Sequence, residues 1–341
     1  MKHVVITGPT GVIGMALIKK CIDEGVFVTA VRHRGSKRIP RVLESDAKYI
    51  RVIECDLQEI KKLPDLLAEY KSAQEIDNAF AANDYQPDVF YHFAWACTYG
   101  ESRNNIEAQV DNIKYTCDAI EVAAKLGCKR FVGAGSQAEY GRTDKVLCAT
   151  TPCFPENAYG MAKLAAGQLG KIKASQVGIE FIWTRILSVY GLYDGPNTLT
   201  SSVLNKLING EHIATTKGEQ IWDFLYSEDA AKAMYLIGKC GIDGKTYVIG
   251  SGKAMPLKKY IDIIVDEVRN FKKLQACDSD DKSNRTFEPD INYGEIEYSE
   301  KQVMHLEADI SELTNDTGYM PEIDFAKGIR KMLAEINGHI E

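Results

Sequence analysis

Val4-Val-Ile-Thr-Gly-Pro-Thr-Gly-Val-Ile-Gly14 joins a short β-branched run to a glycine-rich turn and then to the start of a helical pattern. In this GxxGxxG turn Gly8 permits the tight bend, Gly11 lets the backbone approach a pyrophosphate, and Gly14 allows close packing of helix on strand. The helix N-terminus behind the turn offers free N–H groups to phosphates. The turn alone is a weak signal. At residue 8, as the opening of a strand–turn–helix unit, it points to a bound dinucleotide, with Thr7, Gly8, Thr10, Gly11, Val12, Ile13 and Gly14 as its contacts.

Outward from this turn, residues 12–24 carry helical apolar periodicity and stop at Gly25. Strands are predicted at Val26–Val31, Tyr49–Cys55, Val89–Ala94, Arg130–Ala134 and Ile179–Ile186, with helices near 65–83, 106–126 and 157–176 between them. Strands alternating with helices imply a parallel sheet covered on both faces. After about residue 190 the alternation breaks into shorter elements, and 277–285 (CDSDDKSNR) reads as an exposed loop.

The 341 residues are 45% hydrophobic and 26% charged, with a net charge of −7. Such a chain builds a sizeable core, and its acidic balance argues against nucleic acid as main partner, because phosphate backbones recruit clustered Lys and Arg. The nine cysteines (Cys21, Cys55, Cys97, Cys117, Cys128, Cys148, Cys153, Cys240, Cys277) form no CxxC and no metal-type spacing. Their odd number and the lack of a signal peptide lead us to expect reduced thiols in the cytoplasm. No apolar run reaches the roughly 18 residues that span a bilayer, so no membrane partner and no metal are expected.

At the end of the second strand, where a NAD site places an acidic residue for the ribose 2′-hydroxyl, stand Arg32, His33 and Arg34, followed by Ser36, Lys37 and Arg38. A guanidinium suits a 2′-phosphate through paired, charge-assisted hydrogen bonds. Arg32 and Arg34 therefore favour NADP(H) over NAD, against the alternative of a solvated basic loop. Asp56, with Leu57 beside it, falls after the third strand, near the expected adenine position.

Tyr159-Gly-Met-Ala-Lys163 opens a helical stretch, and its spacing puts both side chains on one face. A phenol ionises near pH 10 in isolation, and a neighbouring ammonium favours the phenolate. Upstream, after the strand at 130–134, comes Gly135-Ser136-Gln-Ala-Glu-Tyr140-Gly141. The Ser136 hydroxyl can bond a substrate oxygen and steady proton transfer by Tyr159. Glycine turn, Ser136, Tyr159 and Lys163 in this order form a specific combination.

In these motifs the chain resembles the extended short-chain dehydrogenase/reductases, the NAD(P)-dependent epimerase/dehydratase family. The resemblance extends to His92-Phe93-Ala94 under the cofactor, Asn112, Arg185-Ile186-Leu-Ser188-Val-Tyr-Gly191, the WDFLYSEDAA stretch at 222–231 and ADISEL…TGYMP…FAKGI near the C-terminus. It implies an α/β, Rossmann-type doubly wound parallel sheet over 1–185, with segments around 212–240 returning to it. A smaller C-terminal α/β lobe, mainly 186–341, would clasp a nucleotide diphosphate sugar. Phe93, Ala94, Asn112, Tyr159, Lys163 and Ile186 become cofactor contacts, and Ser136 and Ser188 substrate contacts. A homodimer packed through helices 106–126 and 157–176 is also implied.

Departures from the family patterns narrow the chemistry. The 4,6-dehydratases follow the catalytic Ser/Thr with Asp-Glu, where this chain has Gln137-Ala138. The GDP-fucose synthase type places Cys where Ala138 stands. Neither an amide nor a methyl moves those protons. Two reactions at one carbon stay open: NADPH-dependent reduction of a 4-keto(-6-deoxy) nucleotide sugar, which the basic run favours, and 4-epimerisation with bound cofactor. A third reading, an inactive NADP-sensing or scaffold protein, sits poorly with the intact Tyr159 and Lys163. Trp222 replaces an Arg that grips the diphosphate in many relatives. It is either a stacking platform for substrate or core, which leaves Arg285 as the diphosphate candidate.

Overall fold

The computed structural model describes residues 1–36, 38, 44–73, 86–278 and 288–338. Seven parallel strands form one sheet in the order β11-β6-β5-β4-β1-β2-β3. They are β1 His3–Thr7, β2 Phe27–Arg32, β3 Ile50–Glu54, β4 Val89–His92, β5 Arg130–Ser136, β6 Glu180–Ile186 and, from far along the chain, β11 Thr246–Ile249. All five residues of β1 are buried, as a strand covered on both faces requires.

The covering helices are α1 Val12–Asp23, α2 Leu63–Ala73, α3 Ile106–Lys125, α4 Ala158–Val177 and α6 Ser227–Cys240. One core, on the α1/α6 side, combines Val4, Ile6, Leu17, Ile18, Ala230 and Met234. The core on the other face joins Val5, Phe90 and Phe131 to Ile120 and Ala166 of α3 and α4. The predicted helix near 65–83 begins at Leu63 with Pro64 in its first turn, where a missing N–H costs nothing. Residues 74–83 of that prediction lie outside the described residues.

The sheet edge at residue 94 needs correction. β4 ends at His92, because β1 ends beside it at Thr7. The Phe93 N–H takes the Thr7 carbonyl (3.2 Å), and the Ala94 N–H then takes the Thr7 hydroxyl (3.3 Å). The chain peels away from the sheet at that point, and the crevice for a ligand begins there. The predicted loop 277–285 also shifts: Cys277 and Asp278 belong to α7 (Leu257–Asp278), and 279–285 lie outside the described residues.

Beyond β6 a second body is built from β7 Ser188–Tyr190, α5 Leu199–Asn209, β8 Ile213–Thr215, β9 Ile221–Trp222, β10 Phe224–Tyr226, β12 Met255–Pro256, α7, β13 Ile291–Tyr293, β14 His305–Leu306 and α9 Phe325–Gly338, while α8 Ser311–Thr317 returns to the large sheet, its Leu313 packed in the core with α6 and β11. Its core centres on Tyr190, Tyr226, Tyr260 and Phe325, with Leu204 and Ile264. Of the segment 212–240, Ser227–Cys240 packs on the large sheet, whereas Ile213–Thr215 pairs with β13 in the second body.

Candidate active site

Two clefts open at the C-terminal ends of the parallel strands, where doubly wound sheets bind ligands. The first, about 590 Å³, is lined by Thr7, Gly8, Thr10 and Gly11 of the turn, Asp56 and Leu57 after β3, and Phe93 and Ala94 after β4. Val12, Ile13 and Gly14 form the first turn of α1 behind it. A Cβ on Gly14 would fall 2.3 Å from the Gly8 carbonyl oxygen, so helix and turn can meet only at glycine. Gly11 caps α1 without a side-chain hydrogen bond, and no acidic residue occupies the first turn. The positive end of the helix is left for an anion. A dinucleotide pyrophosphate fits this cradle.

His92 is buried below, its Nδ1 2.9 Å from the Thr7 hydroxyl. Burial, with the Lys163 charge nearby, pulls its imidazole down to about 3. It is therefore neutral, and the Thr7 hydroxyl joins it to the Ala94 N–H. Asn112 does not line the cleft. Its amide accepts from the Ala96 N–H (3.0 Å) and donates to the Ala96 carbonyl (2.9 Å), clamping the loop after β4.

The basic run is arranged differently from the sequence expectation. Arg32 pairs with Glu54 across the β2–β3 register, and Arg34 pairs with Glu59 at 2.5 Å. Neither is among the residues lining the cleft; His33 between them is. Asp56 accepts the Arg34 backbone N–H at 2.9 Å. The pairing was hidden in the sequence because both carboxylates arrive from the next strand and turn.

The second cleft, about 760 Å³, meets the first at Thr98 and is lined by Ser136, Tyr159, Ile186, Ser188 and Trp222. Ser136 ends β5 and caps the short turn Gln137–Glu139 in a reciprocal box: its Oγ accepts the Ala138 N–H, and Glu139 accepts the Ser136 N–H at 2.9 Å. Tyr159 is the second residue of α4, whose cap is Asn157, accepting from the Gly160 N–H at 2.8 Å. A Cβ on Gly160 would lie 2.3 Å from the Ala138 carbonyl oxygen. Only glycine there lets the start of α4 press on the Ser136 turn, which sets the Ser136 hydroxyl close enough to the Tyr159 phenol to favour its ionised form.

Burial raises the Tyr159 pKa; the Ser136 bond and the Arg103 charge lower it, and Glu139 raises it. Lys163, one turn on, is buried, donates to the Ala134 carbonyl at 2.6 Å and lies 3.7 Å from the Trp95 ring centroid. Burial pulls its ammonium down to about 7, with Glu139 pulling the other way.

Glu139 is fully buried and takes Trp183 Nε1 at 2.9 Å and Arg185 Nε at 2.8 Å besides the Ser136 N–H. Burial pushes this carboxyl up, against the Arg185 charge. Sequence reasoning quoted Glu139 and Arg185 only as motif letters, and it missed Trp95 and Arg103 altogether. Trp95 had one visible signal, a large aromatic directly after the cofactor-flanking Ala94.

Among the substrate candidates, Trp222 donates its indole N–H to the Ser188 hydroxyl at 2.7 Å, and it packs partly against the lobe cores while lining the cleft. Arg285 lies outside the described residues. His212 sits between Asp290 and Glu295 at 2.9 Å each, exposed and away from both clefts. Among the described residues no cluster suits a metal, and no helix is long and apolar enough to cross a membrane.

The profile of the NAD dependent epimerase/dehydratase family matches residues 4–250. This chain belongs to that family. It is 25% identical over 343 residues to the CDP-abequose synthase of Salmonella muenchen, covering 98% of this chain and 97% of the relative. Its fold matches a UDP-N-acetylglucosamine 4-epimerase from Methanobrevibacter ruminantium (TM-score 0.79, 21% identity, 99% of each chain). It also matches a Bacillus anthracis dTDP-glucose 4,6-dehydratase solved in complex with NAD (TM-score 0.77, 16% identity, 99% of this chain and 97% of that one). The proteins this chain is similar to thus include a synthase, an epimerase and a dehydratase.

Proposed function

We propose that this protein reduces the keto group of a 4-keto(-6-deoxy) nucleotide diphosphate sugar, with NADPH as hydride source and Tyr159 as proton donor. The observation that carries this reading is the poverty of acids in the cleft wall beside Ser136 and Tyr159, since Glu139 lies buried behind Ser136 and is taken up by Trp183 and Arg185. Ala138 is buried and apolar, Gln137 lines the cleft as an amide, and among the described residues the only carboxylate in the wall is Asp194. Asp194 comes from the segment after β7 and accepts the Gly195 N–H at 2.8 Å. A site without an acid–base pair beside the tyrosine supports chemistry at the carbonyl carbon alone. The abequose synthase relative, whose name denotes making a CDP-linked sugar, fits the same class.

The nicotinamide supplies the hydride when bound. Ser136 bonds the carbonyl oxygen and Tyr159 delivers its proton there, the two side chains lining the same cleft. Lys163, next to Tyr159 on α4, contributes its ammonium and draws on the Ala134 carbonyl for its place. Ser188 and Trp222 border the sugar end of the cleft.

For NADPH, the 2′-phosphate must take Arg32 or Arg34 from Glu54 or Glu59, an exchange of one anionic partner for a doubly charged one. These same pairs, together with relatives solved with NAD, favour 4-epimerisation with retained NAD as the second reading. Mixing the protein with NADPH and a 4-keto-6-deoxy nucleotide sugar separates the two. Reduction consumes one NADPH per sugar, whereas interconversion of two hydroxy sugars without net absorbance change at 340 nm would establish the epimerase. Exposed Ile106 and Val110 on α3, with Met161, Leu169 and Ile172 on α4, recur at helical spacing on the paired helices. They support a homodimer through this face, and we place the enzyme in the cytoplasm.

A further inference from the structure

We propose that Arg103 is a second, permanent cation of the proton-transfer site, a positioning residue that favours the ionised form of Tyr159 during turnover. The proposal rests on Tyr159 being the proton-transfer group, and it adds a member that no motif contains.

Its geometry is built in. Arg103 lies on the short turn Gly100–Asn104, and Asn104 Oδ1 accepts the Ala158 N–H at 3.2 Å. The turn is thereby pinned to the residue preceding Tyr159. The guanidinium carbon stands 4.4 Å from the Tyr159 ring centroid, and Arg103 lines the same cleft as Ser136 and Tyr159. Among the described residues its Nε is buried without a hydrogen-bond partner, and it forms no ion pair. An unneutralised guanidinium over a phenol ring has one electrostatic consequence: attraction grows when the ring becomes an anion.

The other groups facing Tyr159 sharpen the need for it. The Ser136 hydroxyl, close to the phenol, favours its ionised form but carries no charge, and Trp95 meets the ring edge-on at 6.2 Å, also without charge. Glu139 is an opposing negative charge. Lys163 Nζ is 5.7 Å from the ring centroid, bonded to Ala134 and stacked on Trp95. Burial holds that ammonium near 7, so it is only partly charged at neutral pH. A guanidinium stays protonated throughout that range. Arg103 therefore keeps a positive charge beside the phenol when Lys163 cannot.

The test is direct titration of Tyr159 by NMR of protein carrying ¹³C at the phenolic carbon of its 17 tyrosines. The Tyr159 resonance is assigned by its loss in Tyr159→Phe, and the protein is saturated with oxidised nicotinamide cofactor. Arg103→Met and Arg103→Gln should each move the Tyr159 midpoint up by about one pH unit, with the other tyrosines unmoved. Arg103→Lys should recover most of the shift. Arg103 is half-buried on a surface turn, and the unmoved tyrosines report an intact fold. Coincident midpoints in wild type, Met and Gln proteins would overturn the proposal, as would a wild-type phenol still protonated at about pH 11. Turnover of Tyr159→Phe is scored separately: a fully active Phe variant sinks the proton-transfer reading itself, whatever the titration shows.

Discussion

Two arginine–glutamate pairs flank the two clefts, and they do opposite things. Arg185–Glu139, behind the catalytic cleft, leaves the side chains 11% and 1% exposed. Arg32–Glu54, beside the dinucleotide cleft, leaves them 17% and 47% exposed. The buried pair is saturated: Glu139 holds Ser136 and Trp183 as well, and Arg185 also donates to the Ala149 carbonyl at 3.0 Å. Removing one partner strands a charge in a place water does not reach. At the exposed pair solvent or a ligand phosphate can replace the carboxylate. Fixed charge thus sits where Ser136 must be held, and exchangeable charge sits beside the dinucleotide cleft.

The largest effect expected is on chemistry. Tyr159→Phe should lower turnover by about 10²–10⁴-fold while leaving the dissociation constant of the cofactor nearly unchanged, because only the catalytic cleft loses a functional group. Parallel titration calorimetry and steady-state kinetics check this, and a parallel loss of cofactor binding would show that the two clefts are not separable.

Next comes stability. Glu139→Ala should cost about 3–5 kcal/mol in urea unfolding, since Arg185 stays buried without its partner. The double variant Glu139→Leu/Arg185→Met should recover much of that loss. Glu54→Ala, by contrast, should cost less than about 1 kcal/mol. Equal costs for the two single variants would break the comparison.

Lys163 provides a pH-dependent version of the same contrast. Its folded pKa, about 7, lies below the ordinary 10.5, so between these values the unfolded chain binds more protons and this group's contribution rises with pH. The penalty for burying the ammonium is fully present below about pH 7 and vanishes above about 10.5. Lys163→Met should therefore gain most in thermal stability, relative to wild type, near pH 6, and the gain should shrink steadily toward pH 10. A gain independent of pH would show that burial does not depress this ammonium, which would then stay charged in the folded protein as in the unfolded chain.

A further effect is on cofactor choice. Arg32→Asp should shift the NADPH/NADH affinity ratio by about ten- to a hundredfold toward NADH, the loss of a charge-assisted bond of roughly 1.5–3 kcal/mol. Equal affinities of the unmodified protein for the two cofactors would remove the NADPH preference from the account.

The sheet was legible in the sequence because β1 to β6 are short apolar runs separated by helices with clear stops, and a central parallel strand leaves few polar letters to confuse the period. Ser136, Tyr159 and Lys163 stand out in the sequence for a different reason, since the proposed chemistry needs that residue type at that spacing. What escaped were relations between distant segments. Glu54 and Glu59 meet the basic run only once β3 lies beside β2. Arg103 meets Tyr159 only because Asn104 ties its turn to α4. Asn112 was read as a cofactor contact, yet its amide is spent on the Ala96 backbone. A helical Asn beside a crevice looks the same in sequence whichever way it serves. The end of β4 was misplaced by two residues because Phe93 and Ala94 continue the apolar run after the sheet has stopped.

The central claim is that the Ser136–Tyr159 site changes bonds at one carbon only. Single turnover with NADPH deuterated at the transferring position of its nicotinamide C4, on a 4-keto-6-deoxy nucleotide sugar, tests it most directly. The account predicts one deuterium on sugar C4, one NADPH oxidised per sugar, and no exchange of the C3 or C5 hydrogens when the reaction is run in deuterated water. Deuterium entering C3, C5 or C6 from solvent, or sugar interconverted with all NADPH unspent, would contradict it.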